Sequence, residues 1–244
     1  MRVALAVPCY IDQLRPETAR ATLVLLERLG CEVSLAFDAP CCGQPMANVG
    51  SIDDARAAAT SWARSAAPYE FVVMPSGSCV HQVRHHLDDA HSARVTYELC
   101  EFIAGPLKRA RLTGAFPHRV AMHLGCHAQR GLRLGGSTEL NQPISGPMHL
   151  LLSGLDGITI VPLDRRDECC GFGGSFSIGE PDVSAAMGRD RLHDYADNNA
   201  EVLVSSDVSC LMHLEALLTG GPEGQATPRP RTLHIAELLE EATR

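Results

Sequence analysis

Apolar residues fall into short runs separated by amphipathic stretches, and the two periods alternate along the chain. Residues 2–8 (Arg-Val-Ala-Leu-Ala-Val-Pro) read as a buried strand. Residues 16–29 read as a helix, with Pro16 in its first turn, Gly30 beyond its end, and Ala19, Leu23, Leu26 and Leu29 as an apolar face. Residues 31–37 form a second strand. Ser51 and Asp54 resemble a capping box that opens a helix running to about residue 66. Residues 70–75 form a third strand, and helical stretches follow near 79–88 and 95–104.

Residues 105–118, with Gly105, Pro106, Gly114 and Pro117, read as a connector, after which the pattern restarts. Strands are expected at 119–124, 158–163 and 201–205. Helices are expected near 147–153, 181–197, 209–218 and 235–243. Residues 133–147 and 220–231 read as loops. Strands alternating with helices predict an α/β protein of two similar halves, 1–112 and 113–244. Each half is a Rossmann-like parallel sheet flanked by helices.

Composition narrows the function classes. The 244 residues carry 45% apolar and 20% charged side chains and a net charge of −8, which argues against a general binder of nucleic acid or anionic membranes. The short basic cluster at Lys108, Arg109 and Arg111 does not change that balance. No apolar run approaches the ~18 residues of a membrane span. The first apolar stretch is too short for a signal-peptide core, so the expected setting is the reducing cytoplasm. There, ten cysteines point to metal ligation or redox chemistry rather than to disulfides.

Eight of those cysteines repeat. Cys9, then Cys41 and Cys42, then Cys79 are matched by Cys126, then Cys169 and Cys170, then Cys210, and Gly43 and Gly171 follow the pairs. Each member follows a predicted strand. Loops at the carboxyl ends of parallel strands converge on one edge, so residues far apart in sequence can meet around one centre. Helix N-termini at the same edge favour thiolate. The chain lacks the close two-cysteine knuckles usual for structural zinc, whereas adjacent cysteines suit neighbouring irons of a cluster. Gly43 and Gly171 permit tight turns and leave amides free to hydrogen-bond sulfide. At this level iron–sulfur, zinc and cysteine-only redox chemistry all stay open.

The segments Pro40-Cys-Cys-Gly-Gln-Pro45, Pro75-Ser-Gly-Ser-Cys79, Gly125-Cys-His127, Glu168-Cys-Cys-Gly-Phe-Gly-Gly174 and Ser209-Cys-Leu-Met-His213 resemble the CCG-domain family. The likeness extends to His234-Ile-Ala-Glu-Leu238 and is strongest to the lactate-utilisation branch. The wider family includes the cysteine-rich subunits of heterodisulfide reductase and iron–sulfur subunits of glycolate oxidase. The resemblance implies an iron–sulfur subunit of an L-lactate oxidising complex, working beside a ferredoxin-like iron–sulfur protein and a third subunit. Cys9, Cys41, Cys42 and Cys79 would hold one cluster, and Cys126, Cys169, Cys170 and Cys210 a second, of [4Fe–4S] type. The heterodisulfide reductase members add a fifth thiolate through a C-x-x-C ending. Here Ser76 and Gln82 flank Cys79, and Asp207 and His213 flank Cys210, so four thiolates, with or without a non-cysteine ligand, are the open arrangements. Rival classes are a thiol–disulfide or heterodisulfide redox enzyme and a zinc-stabilised interaction module.

Cys31 and Cys100 fit no repeat and read as core thiols. His123, His127 and His213 lie near cluster cysteines, where an imidazole can ligate iron, bond sulfide or carry protons. A local role is expected first for His127. His81, His85 and His86 read as surface residues of a helix. Gly171-Phe-Gly-Gly174 lacks the spacing of a dinucleotide fingerprint and reads as a tight loop around a cluster. Phe172 and Phe176 would pack there and exclude water.

Overall fold

In the computed structural model, which describes residues 1–35, 37–220 and 229–244, the alternating pattern closes into two parallel sheets. The first is built from β1 (Arg2–Leu5), β2 (Glu32–Ser34), β3 (Val72–Met74) and β4 (Thr96–Glu98), in the order β2-β1-β3-β4. The second is built from β5 (Arg119–His123), β6 (Thr159–Ile160), β7 (Val202–Ser205) and β8 (Arg231–His234), in the order β6-β5-β7-β8. All pairings are parallel, so each strand must be followed by a crossover that returns the chain to the same end. This is the expected architecture of two similar α/β halves.

Side-chain alternation divides the interior. Val3, Val73, Val120, Val202 and Val204 point into one continuous apolar cluster shared by both halves. Ala4, Val72 and Met74 point the other way, into a cluster around Trp62 and Val80. Ala121 and Leu203 likewise face a cluster around Tyr195 and Leu214. Period-two geometry therefore gives each sheet one private face and one common face. The helices filling the common layer pack reciprocally. Helix Pro16–Arg28, which follows β1, lies against helix Ile235–Ala242, which follows β8. Helix Leu99–Ala104, which follows β4, lies against helix Pro147–Ser153, which follows β5.

That packing corrects the apolar face read for the first long helix. Thr18, Ala21, Thr22, Leu25 and Leu26 are buried, while Ala19, Leu23 and Leu29 are only half-buried. The threonines tolerate burial because their hydroxyls are satisfied. Thr22 Oγ1 donates to the Thr18 carbonyl at 2.7 Å, and Thr18 Oγ1 bonds the Glu237 carboxylate of the facing helix.

Two strands escape the sequence pattern. Residues 95–104 read as helical, but β4 separates helix Ala90–Val95 from helix Leu99–Ala104, and three residues are too few to establish a period. β8 begins inside the expected loop 220–231; within that loop, residues 221–228 lie outside the described residues. Ser51 precedes helix Ile52–Ala66, but its hydroxyl donates to the Asp54 carboxylate at 2.6 Å, so the expected backbone cap is absent. Cys31 and Cys100 are buried in the shared cluster. Among the described residues, no helix is long and apolar enough to cross a membrane.

Leu25 is fully buried in the common layer. Leu25→Ala should lower stability by about 2–5 kcal/mol. Because the cluster draws on both sheets, urea denaturation followed by circular dichroism and by Trp62 fluorescence should give one coincident transition.

Candidate metal centres

All eight repeated cysteines sit at the carboxyl ends of their sheets. Cys9 opens helix Cys9–Leu14 after β1, and Cys79 lies in the first turn of helix Gly77–His86 after β3. Cys126 caps the π-turn His127–Gly131 after β5, and Cys210 lies in the first turn of helix Val208–Gly220 after β7. Cys41–Cys42 and Cys169–Cys170 occupy the loops after the edge strands β2 and β6. Both pairs turn through a left-handed glycine, Gly43 at φ 88° and Gly171 at φ 91°. A Cβ on Gly171 would approach the Ser184 carbonyl to 2.4 Å, so only glycine allows this loop to lie against helix Pro181–Asp197.

The first quartet is a connected row of sulfurs. Cys9 Sγ lies 4.0 Å from Cys41 Sγ, and the Cys42 thiol interacts with both Cys41 and Cys79. Thiols cannot all ionise side by side. Cys41 becomes the acceptor of the row: hydrogen bonds from Cys42 and Cys9, supported by the Gly43 amide at 3.4 Å, pull its pKa down to about 2. Donation to Cys41 and burial hold the protons on Cys9 and Cys42. This is a set of soft donors, part-buried at Cys9 and Cys41 and buried at Cys42 and Cys79.

The second quartet repeats the pattern. Cys169 accepts from Cys126 and Cys170, and the Gly171 amide donates to its sulfur at 3.3 Å, taking its pKa down to about 2. Cys126 is raised by its contact with Cys169, and Cys170 by its contacts with Cys169 and Cys210. A fifth donor joins this set. One ring nitrogen of His123, a fully buried residue, lies with the Sγ atoms of Cys170 and Cys210 inside a mutual spacing of 4.8 Å. Burial holds the imidazole neutral, its pKa taken down to about 3.

The two quartets meet along the seam between the halves. Tyr10, beside Cys9, packs edge-on against Phe172 of the second pair's loop, ring centroids 6.2 Å apart. Reciprocally, His127, beside Cys126, reaches Gln44 of the first pair's loop at 3.5 Å between Nδ1 and Nε2. His127 also stacks on His81 at 4.9 Å. Behind the sulfurs, Asp207 is buried and accepts from Ser76 Oγ (2.8 Å), Ser78 Oγ (2.8 Å) and the Ser78 amide (3.1 Å) across the seam. Burial raises its pKa. Glu98 and His234 end β4 and β8 and cap the helices that follow. Burial pushes Glu98 up to about 8 and His234 down to about 4.

The profile of the cysteine-rich CCG domain matches residues 3–84 and 120–215, two segments that each enclose one quartet. The chain belongs to the CCG cysteine-rich domain family. Its similarity to members of known designation runs end to end. It is 38% identical to Lactate utilization protein A of an Exiguobacterium species over 99% of this chain and 98% of that one. It is 36% identical to Lactate utilization protein A of Bacillus subtilis over 98% and 99%. The corresponding protein of Geobacillus thermodenitrificans is 34% identical over 98% of both chains.

In this CCG protein, the structure brings all eight expected cysteines, Gly43, Gly171 and His127 to one region. Several neighbours differ from expectation. His81 is half-buried against His127, and burial takes its pKa down to about 4; His85 and His86 remain at the surface. His213 packs beside Phe172, ring centroids 6.1 Å apart, and donates Nε2 to the Ser184 carbonyl at 3.3 Å. Phe172 and Phe176 are half-buried, with Phe172 against the private core of the second sheet. Tyr195, Arg191 and Glu98 carried no signal in sequence, and Asp207 entered only as a flank of Cys210 and His234 only within a quoted motif, because a polar residue on an amphipathic stretch reads as solvated until its neighbours are known.

Glu98 makes the seam sensitive to pH. Between about pH 4.5 and 8 the unfolded chain gives up this proton while the folded protein keeps it. Stability should therefore fall as pH rises through that window, by at most about 1.4 kcal/mol per pH unit, and level off above it. Glu98→Gln should remove that part of the slope in urea titrations run from pH 5 to pH 8.5.

Proposed function

We propose that this CCG protein is an iron–sulfur subunit of lactate utilisation, with a cluster site at each cysteine quartet. The observation that carries the reading is the gathering of both quartets on one seam, each with a glycine amide donating to one of its sulfurs. The donor set fits. Four soft sulfurs per half match the thiolate ligation of iron–sulfur clusters, and beside those of the second half lies a buried imidazole nitrogen with no hydrogen-bond partner among the described residues. Relatives named Lactate utilization protein A across nearly the whole length support the physiological assignment.

Cys9, Cys41, Cys42 and Cys79 would hold one centre, and Cys126, Cys169, Cys170 and Cys210 the other, each of [4Fe–4S] type. Such a centre supplies a reversible one-electron carrier. The chain's own residues set its surroundings. Gly43 and Gly171 amides donate to the anionic sulfurs, and the N-terminal turns carrying Cys79 and Cys210 add positive dipole ends. Tyr10 and Phe172 bring aromatic surface together across the seam beside Cys9 and the second Cys-Cys pair. His127 spans the seam beside both sites.

In this reading electrons from the two-electron oxidation of L-lactate to pyruvate pass through the chain. Its partners are a ferredoxin-like iron–sulfur protein and a third subunit in the cytoplasm. Anaerobic purification should give a brown protein containing iron and acid-labile sulfide, reducible by lactate once the partner subunits are added. Cys42→Ser and Cys170→Ser should each remove roughly half the bound iron, since each takes a thiolate from one quartet only. A colourless, iron-free chain that still supports lactate-dependent reduction in the complex would falsify the assignment. Oxidation of the pre-reduced protein by a disulfide, with no reduction by lactate, would favour the heterodisulfide class.

A further inference from the structure

The two halves are not equivalent at their centres. The segments Arg2-Val-Ala-Leu-Ala-Val-Pro-Cys9 and Arg119-Val-Ala-Met-His-Leu-Gly-Cys126 align without a gap, so the counterpart of His123 is Ala6. Both positions are buried at the carboxyl end of a central strand, behind the sulfurs. Alanine brings no polar atom there. The second half has an imidazole, and that imidazole is held by a chain of its own.

Hydrogen-bond accounting assigns its proton. Arg191 is fully buried, paired with Asp194 at 2.8 Å, and donates Nε to the Tyr195 hydroxyl oxygen at 3.0 Å. A guanidinium can only donate, so the Tyr195 oxygen is the acceptor in that contact. The Tyr195 O–H is then left to donate to His123 Nδ1, 2.9 Å away. Nδ1 is thereby the bare nitrogen of a neutral ring, and Nε2 carries the hydrogen. Nε2 is buried and has no hydrogen-bond partner among the described residues. An orphaned buried donor is costly unless something outside the polypeptide accepts from it. The sulfurs of Cys170 and Cys210 border this ring, so the acceptor belongs among the sulfurs of the second centre.

We infer that His123 donates an Nε2–H hydrogen bond to a sulfur of the second iron–sulfur centre, oriented by Asp194, Arg191 and Tyr195, and that the first centre lacks this bond because Ala6 stands in its place. The inference rests on the iron–sulfur reading above and deepens it. A donor to cluster sulfur stabilises the reduced, more negative state, so the second centre has the higher potential, other contributions being matched. His123 is a positioning and tuning residue.

The test is a redox titration of the anaerobically reconstituted protein, followed by electron paramagnetic resonance. His123→Ala should lower one midpoint potential and leave the other unchanged, with iron content retained. His123→Gln, whose side-chain amide can place an N–H near the same point, should restore most of the shift. Tyr195→Phe, which frees Nδ1 and the tautomer, should lower the same midpoint in part. Nitrogen couplings measured by pulsed resonance on protein with 15N-histidine should be weak, and absent in His123→Ala. Midpoints indifferent to both His123 substitutions overturn the inference, and so does a strong coupling of a directly bound nitrogen, which would make His123 an iron ligand. A chain that takes up no iron removes the iron–sulfur reading and this inference together, whereas a loaded chain with unmoved potentials removes the inference alone.

Discussion

Eight thiols can lean on one another here because every strand in both sheets runs the same way. A parallel sheet sends each connection back to its starting end, so the residues that follow its strands collect on one edge. Cys9, Cys79, Cys126 and Cys210 come from the turns after the central strands, and the two Cys-Cys pairs from the loops after the edge strands. The helices of the common layer then pack reciprocally and turn both edges toward one seam. Reversing β1, β3, β5 or β7 would move its cysteine to the far end of its sheet and leave that quartet one sulfur short, and reversing β2 or β6 would take away a whole Cys-Cys pair.

The seam is expensive to build. Glu98, Asp207 and His234 are buried, and unpaired buried charge is strongly unfavourable. The fold meets this by converting ionisable groups into helix caps and neutral partners. Glu98 and His234 occupy equivalent places, each ending the last strand of its sheet and closing a capping box with Glu101 or Glu237. Ser76 and Asp207 are likewise equivalent, three residues before Cys79 and Cys210, and they bond each other across the seam. One pseudo-symmetric frame thus carries different polar residues at matched positions. That divergence is what allows two sites of similar sulfur geometry to differ in chemistry.

The same divergence explains the aromatic cover. Tyr10 and His127 follow Cys9 and Cys126, and Gln44 and Phe172 follow the two CCG turns. Each follower crosses the seam to the opposite loop, so one contact is ring on ring and the other imidazole on amide. The first packs apolar ring edges together, whereas the second leaves a polar ring packed on His81.

Much of this protein was legible in the order of its residues. Alternating short apolar runs and amphipathic stretches determined the parallel α/β class, and the repeated cysteines with their glycines picked out side chains that the fold gathers at the carboxyl edges of its sheets. That succeeded because strand and helix periods and a matched C…CCG…C spacing are local or repeated properties. β4 and β8 were missed because a three- or four-residue strand abutting a helix has no measurable period. His81, Asp207, Tyr195 and Arg191 were not legible because their roles depend on what lies across the seam or beneath the sheet. The choice of Thr18 and Thr22 over Leu23 for the buried face came from the helix docked against them. Only tertiary structure decides such things, because burial and hydrogen-bond partnership belong to pairs of residues far apart in sequence, and the chain by itself specifies just one member of each pair at a time.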